Sequence, residues 1–217
     1  LTISGVPSGA TLSAGTDNGN GTWTLTGLTP AELNALTITP PADYSGAFDL
    51  TVTATSTEGA TVAAGGEIQE ADNTATTSQS FTVTVTPVED TTLETADAAI
   101  KEDLGNAADQ IASVPEPGAG AQPLAINLAV GANEAIDSIT ITGVPSGVTL
   151  NHGTDNGDGT WSLTQADLTG LTINGSPSDS DAEFDLGVTV GVSQNGTALP
   201  DLAGSVHVIV DAVADIP

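Results

Sequence analysis

Cysteine and methionine are absent from the 217-residue chain, aromatic residues make up 3% of it, and Lys101 is its one Lys or Arg. Each shortage removes a class of chemistry. Without cysteine there is no disulfide framework, no thiolate zinc site and no thiol nucleophile. One cation cannot neutralise a run of phosphates, so nucleic acid is excluded as a partner. A net charge of −27 also repels anionic membrane surfaces. No apolar run approaches the roughly 20 residues of a membrane span, so direct membrane insertion is not expected. Nucleophile elbow, His-rich zinc motif and phosphate loop are missing too, and the expectation is a protein that is not an enzyme. The chain has no initiator Met and no signal-peptide pattern. It starts on the strand-like run Leu1-Thr2-Ile3, which predicts a segment of something longer.

What is present is acid on an otherwise foldable chain. Hydrophobic residues reach 38% and mean hydropathy is +0.09, too apolar for a disordered acidic tail. Against the single Lys stand 28 Asp and Glu. The natural counter-ion is a metal cation, and carboxylate, amide and carbonyl oxygens are the ligands that Ca²⁺ takes. A Cys-free, acidic, Thr/Gly/Asn-rich composition fits an extracellular bacterial protein.

The chain repeats itself. Residues 1–26, LTISGVPSGATLSAGTDNGNGTWTLT, match residues 139–164, ITITGVPSGVTLNHGTDNGDGTWSLT, at 19 of 26 positions. The match continues with Leu33, Leu36, Thr37 and Ile38 against Leu168, Leu171, Thr172 and Ile173. Phe48-Asp49-Leu50 then matches Phe184-Asp185-Leu186, and Phe81–Val85 matches Val206–Val210. Both copies read as β-structure. Val and Thr alternate with period two, and short strand-like runs recur between Gly, Pro, Asn and Asp. That spacing predicts an all-β chain of two tandem β-sandwich modules. Trp23 and Trp161 hold the same repeat position and are expected core anchors, each stabilising by roughly 2–3 kcal/mol.

The boundaries expected from these patterns are 1–90 for the first module, 91–122 for an acidic linker, and 123–217 for the second. Within the linker, Leu93, Ala96, Ile100, Leu104, Ala107, Ala108 and Ile111 fall at helical spacing, which predicts short helical turns. Leu124–Val130 reads as a first strand of module 2 that has no counterpart in module 1. Module 1 carries an insertion at about 58–78, expected as an extended hairpin or loop. An open sandwich edge invites association, so a neighbouring subunit that completes module 1 by strand addition is one predicted partner.

Acid is densest at the junction. Residues 1–88 hold eight acids, whereas the 28 residues 89–116 also hold eight: Glu89, Asp90, Glu94, Asp97, Glu102, Asp103, Asp109 and Glu116. Such a run is either a solvated linker or a junction rigidified by Ca²⁺. Pro87–Asp90 and Val213–Pro217 stand in like positions after the last strand of each copy, which favours the second reading. The turn Asp17–Trp23 and its copy Asp155–Trp161 carry Asn-Gly and Asp-Gly, a strong hairpin signal and a weak calcium signal. Asp179, Asp181, Glu183 and Asp185 alternate, so in an extended chain they share a face, as an edge solvator or a cation site. His152 and His207 are expected at the surface, without catalytic roles.

The repeat, with its pattern GVPSGATL…GTDNGNGTW and its close FTVTVTPVED, resembles the tandem Ig-like, cadherin-like extender repeats of giant RTX-type, type I-secreted bacterial adhesins. The resemblance covers residues 1 to about 90 and about 123 to 217. It implies Greek-key β-sandwiches strung end to end, extracellular on the bacterial surface. They project distal binding domains in adhesion and biofilm formation, have adjacent repeats of the same chain as partners, and are stiffened by Ca²⁺ at the joints. It further implies linker ligands at Glu89 and Asp90 and at Asp211 and Asp215, with the acidic pair near the start of a repeat at Glu102-Asp103. Where the family has an Asp-rich turn after the first strand, this chain has Gly131-Ala-Asn-Glu-Ala-Ile-Asp137. Glu134 therefore does not follow from the pattern, and Asp137 is kept as a metal candidate. Two further functions remain as expectations: a self-assembling filament subunit, and a glycan- or protein-binding module using the module 1 insertion or the 179–185 loop, with Tyr44 or an exposed Trp as the sugar platform.

Overall fold

Thr and Val on alternate positions favour extended backbone, and the chain is almost wholly β. The computed structural model describes residues 1–57, 74–101, 121–175 and 183–211, with Lys101 and Asp211 described in their backbone alone. Two compact units emerge, Leu1–Pro87 and Val88–Pro217.

Unit 1 contains β1 (Thr2–Ser4), β2 (Thr11–Leu12), β3 (Thr16–Asp17), β4 (Thr22–Thr24), β5 (Ile38–Thr39), β6 (Gly46–Thr57) and β7 (Thr74–Val85). One sheet runs β3-β4-β1-β6-β7, and β2 pairs with β5 apart from it. Ile3, Val6, Ala10, Trp23, Leu25 and Leu50 form the core, with Phe48, Val52 and Val83 packed against it. Between β4 and β5 lies α1 (Pro30–Asn34). Its signature is legible: Thr29 caps it, Pro30 opens it, and the Glu32 carboxylate accepts from the Thr29 N–H at 2.8 Å.

Unit 2 contains β8 (Thr92–Thr95), β9 (Ala98–Lys101), β10 (Gln122–Pro123), β11 (Ile126–Ala129), β12 (Glu134–Thr142), β13 (Thr149–Leu150), β14 (Thr154–Asp155), β15 (Trp161–Leu163), β16 (Thr172–Asn174), β17 (Phe184–Gln194), β18 (Thr197–Ala198) and β19 (Leu202–Asp211). The large sheet runs β14-β15-β12-β17-β19-β9, with β18 on β17 and β9 parallel to β19. Smaller sheets β10-β16-β13 and β11-β8 contribute Ile126, Leu150 and Ile173, joined by Leu124 between β10 and β11, to the same core as Ile141, Trp161, Val188 and Val206. That layered core is a β-sandwich.

The repeat survives folding. Ile3 opposes Trp23 as Ile141 opposes Trp161, and both rings are buried. The first glycine of GVPSG has a reason in each copy. Gly5 and Gly143 have φ of +83° and +80°, and a Cβ there would stand 2.1 and 2.7 Å from the carbonyl oxygens of Asp49 and Asp185. The facing strand therefore leaves no room for a side chain.

One expectation is overturned. The helical reading of 91–118 fails wherever the segment is described, because Thr92–Thr95 and Ala98–Lys101 are strands. Leu93 and Thr95 turn inward while Thr92 and Glu94 stay exposed, a period of two that the 3–4 spacing of apolar residues masked. Register with β11 and β19 decides between them, and residues 102–118 lie outside the described set. The stretch expected as linker thus supplies strands to unit 2, whose boundary falls at Pro87/Val88. Of the insertion in module 1, expected as an extended hairpin or loop, Thr74–Ser78 belongs to β7 and pairs antiparallel with β6, while 58–73 lies outside the described residues.

Candidate functional site

Two of the predicted ligands meet a carboxylate at the start of unit 2. Glu89 and Asp90 precede β8, and Glu134 opens β12. The Asp90 N–H donates to Glu134 Oε1 at 2.9 Å, and Thr91 Oγ1 donates to Glu134 Oε2 at 2.5 Å. Buried Thr91 also accepts from the Gly131 N–H at 3.0 Å, and its own N–H donates to Glu89 Oε1 at 3.1 Å. Gly131 permits this approach, because a Cβ there would lie 2.5 Å from Glu134 Oε2 and 2.9 Å from Asp90 Cβ. One atom meets no N–H or hydroxyl donor: Glu89 Oε2, which is buried.

The electrostatics of the pair follow from this arrangement. Burial pushes the Glu89 carboxyl above the usual carboxylate range, and the neighbouring Glu134 and Asp90 charges add to the rise, against the Thr91 N–H that favours the anion. Burial also acts to raise Glu134, but its hydrogen bonds from Thr91 and Asp90 outweigh it and hold that carboxyl low. The two carboxyls are close enough that a proton on Glu89 serves Glu134 as a donor. With both ionised the two charges repel, and a cation or a bridging water between them relieves that repulsion. The donor set, carboxylate oxygens with one left orphaned, fits a hard cation such as Ca²⁺. Among the described residues no group of three or more His, Asp or Glu is set to hold a metal ion.

Of the other predicted ligands, Asp137 alone is described with its side chain. Asp137 sits where the β12–β17 register shifts and accepts from Ser193 Oγ at 3.0 Å. Asp211 ends β19 with its backbone opposite Lys101, and Glu102, Asp103 and Asp215 lie outside the described residues. Glu134 is the partner that sequence reading set aside. Its signal was an acid just after a Gly-Ala-Asn turn, in which Asn133 takes a positive φ of 59°.

The Asp/Asn/Gly loops form hairpins that spend their side-chain oxygens on themselves. Asp17 Oδ1 accepts from the Gly19 N–H at 2.8 Å, and Asp155 Oδ1 accepts from Gly157 at the same distance. Asp158 accepts from the hydroxyl and N–H of Thr160, and these bonds hold its carboxyl below the usual range. Of the alternating acids, Asp179 and Asp181 lie outside the described residues, while Glu183 and Asp185 flank His207. Asp185 Oδ1 stands 2.7 Å from Nδ1 and Glu183 Oε2 stands 3.3 Å from Nε2. The hydrogen bond to Asp185 raises the imidazole above its ordinary value, with Glu183 adding to it. Of the residues expected to supply an aromatic platform, both Trp rings are buried, and half-buried Tyr44 packs edge-on against Phe48 at 5.7 Å between centroids.

No family model, curated protein or solved structure matches the chain.

Proposed function

We propose that the chain is a structural extender segment of a secreted bacterial surface adhesin, without catalytic activity, in which Ca²⁺ fixes the point where unit 2 begins. The observation that carries the calcium part is the orphaned Glu89 Oε2 beside Glu134 and Asp90. Two copies of one β-unit, with acid concentrated where the second begins, support the extender part. Bound there, a cation replaces carboxylate repulsion with attraction and ties Glu89–Thr91 to β12. Because it favours the folded chain, it raises stability by mass action. Stiffness of a rod, projection of distal binding domains and a place at the cell surface are the functional consequences of this reading.

The test compares thermal melting and small-angle scattering in calcium and in chelator, for the parent chain and for Glu89→Gln. The parent should melt higher in calcium, and its maximum dimension should grow or sharpen. The sign for the variant follows from the raised Glu89 carboxyl. A raised acid contributes stability that is present below its unfolded value and is lost as pH rises through the folded one. At neutral pH the anion is a liability, so Glu89→Gln should melt higher than the parent in chelator and gain nothing from calcium. A parent chain indifferent to calcium in both measurements would sink the proposal.

A further inference from the structure

Unit 2 displays a strand arrangement that the described residues of unit 1 do not. In unit 2, β19 is not an edge: β9 lies parallel to it, pairing Val208 with Ala98 and Val210 with Ile100. β8 covers the same strand further along, where Leu93 and Thr95 side chains stand over Gly204 and Thr95 Oγ1 donates to the Ser205 carbonyl at 2.7 Å. Val206, Val208 and Val210 are consequently buried, the first two completely. The repeat equates these with Phe81, Val83 and Val85 of β7. Among the described residues β7 ends its sheet, with β6 on one side and no strand on the other. Phe81 is 49% exposed there, against 0% for Val206, and Val83 and Val85 are half-buried. Thr74–Val85 carries no charge and no proline, the two devices that normally blunt an edge strand. Its outward face toward Asp49, Thr51, Thr53 and Thr55 is a ladder of hydroxyls, so the apolar patch is confined to the Phe81–Val85 end.

We propose that this end of β7 is a docking surface for an extended strand of the kind that Leu93–Ile100 forms, supplied by an additional copy of the module's leading segment and running parallel to β7. The occupant is specified by the internal copy. It presents small and branched apolar side chains on alternate positions, as Ala98 and Ile100 do, to Val83 and Val85, and a Leu93-like residue beyond Phe81. Main-chain hydrogen bonds to the open edge provide affinity, and burial of Phe81 adds to it. The inference does not depend on calcium, because it rests on β7 and not on Glu89.

The offset of the repeat supplies the test, since Ile139 corresponds to Leu1. Residues 88–138 fused directly ahead of Leu1 give unit 1 the lead that unit 2 has. In chelator, the β7 amides that point away from β6 should exchange with deuterium at least about tenfold more slowly in the fused chain than in the parent. Ile100→Pro in the added copy alone should abolish that protection and leave β19 protected, because proline removes the ladder donor. A synthetic 88–101 peptide added to the unmodified chain is the second arm and should protect the same amides in a saturable way. Unchanged β7 exchange in both arms overturns the proposal. So does a parent chain whose β7 is already protected in a concentration-dependent dimer, which would make the occupant a second copy's edge instead.

Discussion

His207 and Glu89 are both perturbed titrating groups of unit 2, and the same sign reasoning sets their pH behaviour. His207 stands between Asp185 and Glu183, which favour its charged form and raise it above 6.5. A raised imidazole contributes stability that is fully present below the unfolded value and is lost as pH rises through the folded one. Unit 2 should therefore lose melting temperature as pH rises upward from the ordinary histidine value, and His207→Gln should flatten that slope when scanning calorimetry is repeated across the range. The group is exposed and screened, so the slope is expected to shrink in high salt. Glu134 has the opposite sense: its lowered carboxyl contributes stability present above its unfolded value and lost as pH falls through the folded one. Spacing in the sequence showed four acids on one face of an extended run. It did not show that two of them meet a histidine, because Asp185 and His207 become neighbours only through the β17–β19 register.

At the scale of elements, Thr91 is the pin between the leading stretch and β12. Its hydroxyl donates to Glu134 and accepts from Gly131, and its N–H reaches Glu89. Thr91→Val keeps the shape and leaves the Gly131 N–H and one Glu134 oxygen without a partner. The expected cost is about 1–3 kcal/mol in denaturant unfolding of unit 2. Calcium-dependent stabilisation should weaken with it, since the carboxylates lose their common anchor. Strand character was readable where apolar or branched residues recur at every second position, as at Thr51–Thr55 of β6, Phe81–Val85 of β7 and Val206–Val210 of β19. It was misread in β8 and β9, where four-residue strands carry too few alternations to separate period two from period 3.6. The short helix α1 had a clear local signature in Thr29-Pro-Ala-Glu32, which a capping-box search would have found.

The whole molecule is unequal in its halves. Among the described residues, 21 side chains form the buried core of unit 2 and six form that of unit 1. Apolar burial dominates stability, so unit 1 should melt first. Calorimetry should resolve two transitions. Trp23 fluorescence, isolated in Trp161→Phe, should follow the lower one, and Trp161 fluorescence, isolated in Trp23→Phe, the upper. A single coincident transition for both reporters would contradict the inequality. The same asymmetry explains the exposed Phe81, because the strands that bury Val206 in unit 2 come from a leading segment without a described equivalent beside β7.

By itself the sequence determined the β character, the repeat and its tryptophan anchors, and the concentration of acid after the first copy. These depend on local alternation, turn chemistry and charge counts, all of which are carried by neighbours in the chain. Tertiary structure decided what long-range register controls: that residues 92–101 are strands, that Glu134 and not Asp137 joins Glu89 and Asp90, and that β7 ends its sheet where β19 does not. The physical reason is the period-two geometry of a strand, which fixes which side of the chain faces the core but leaves open which distant strand will cover it.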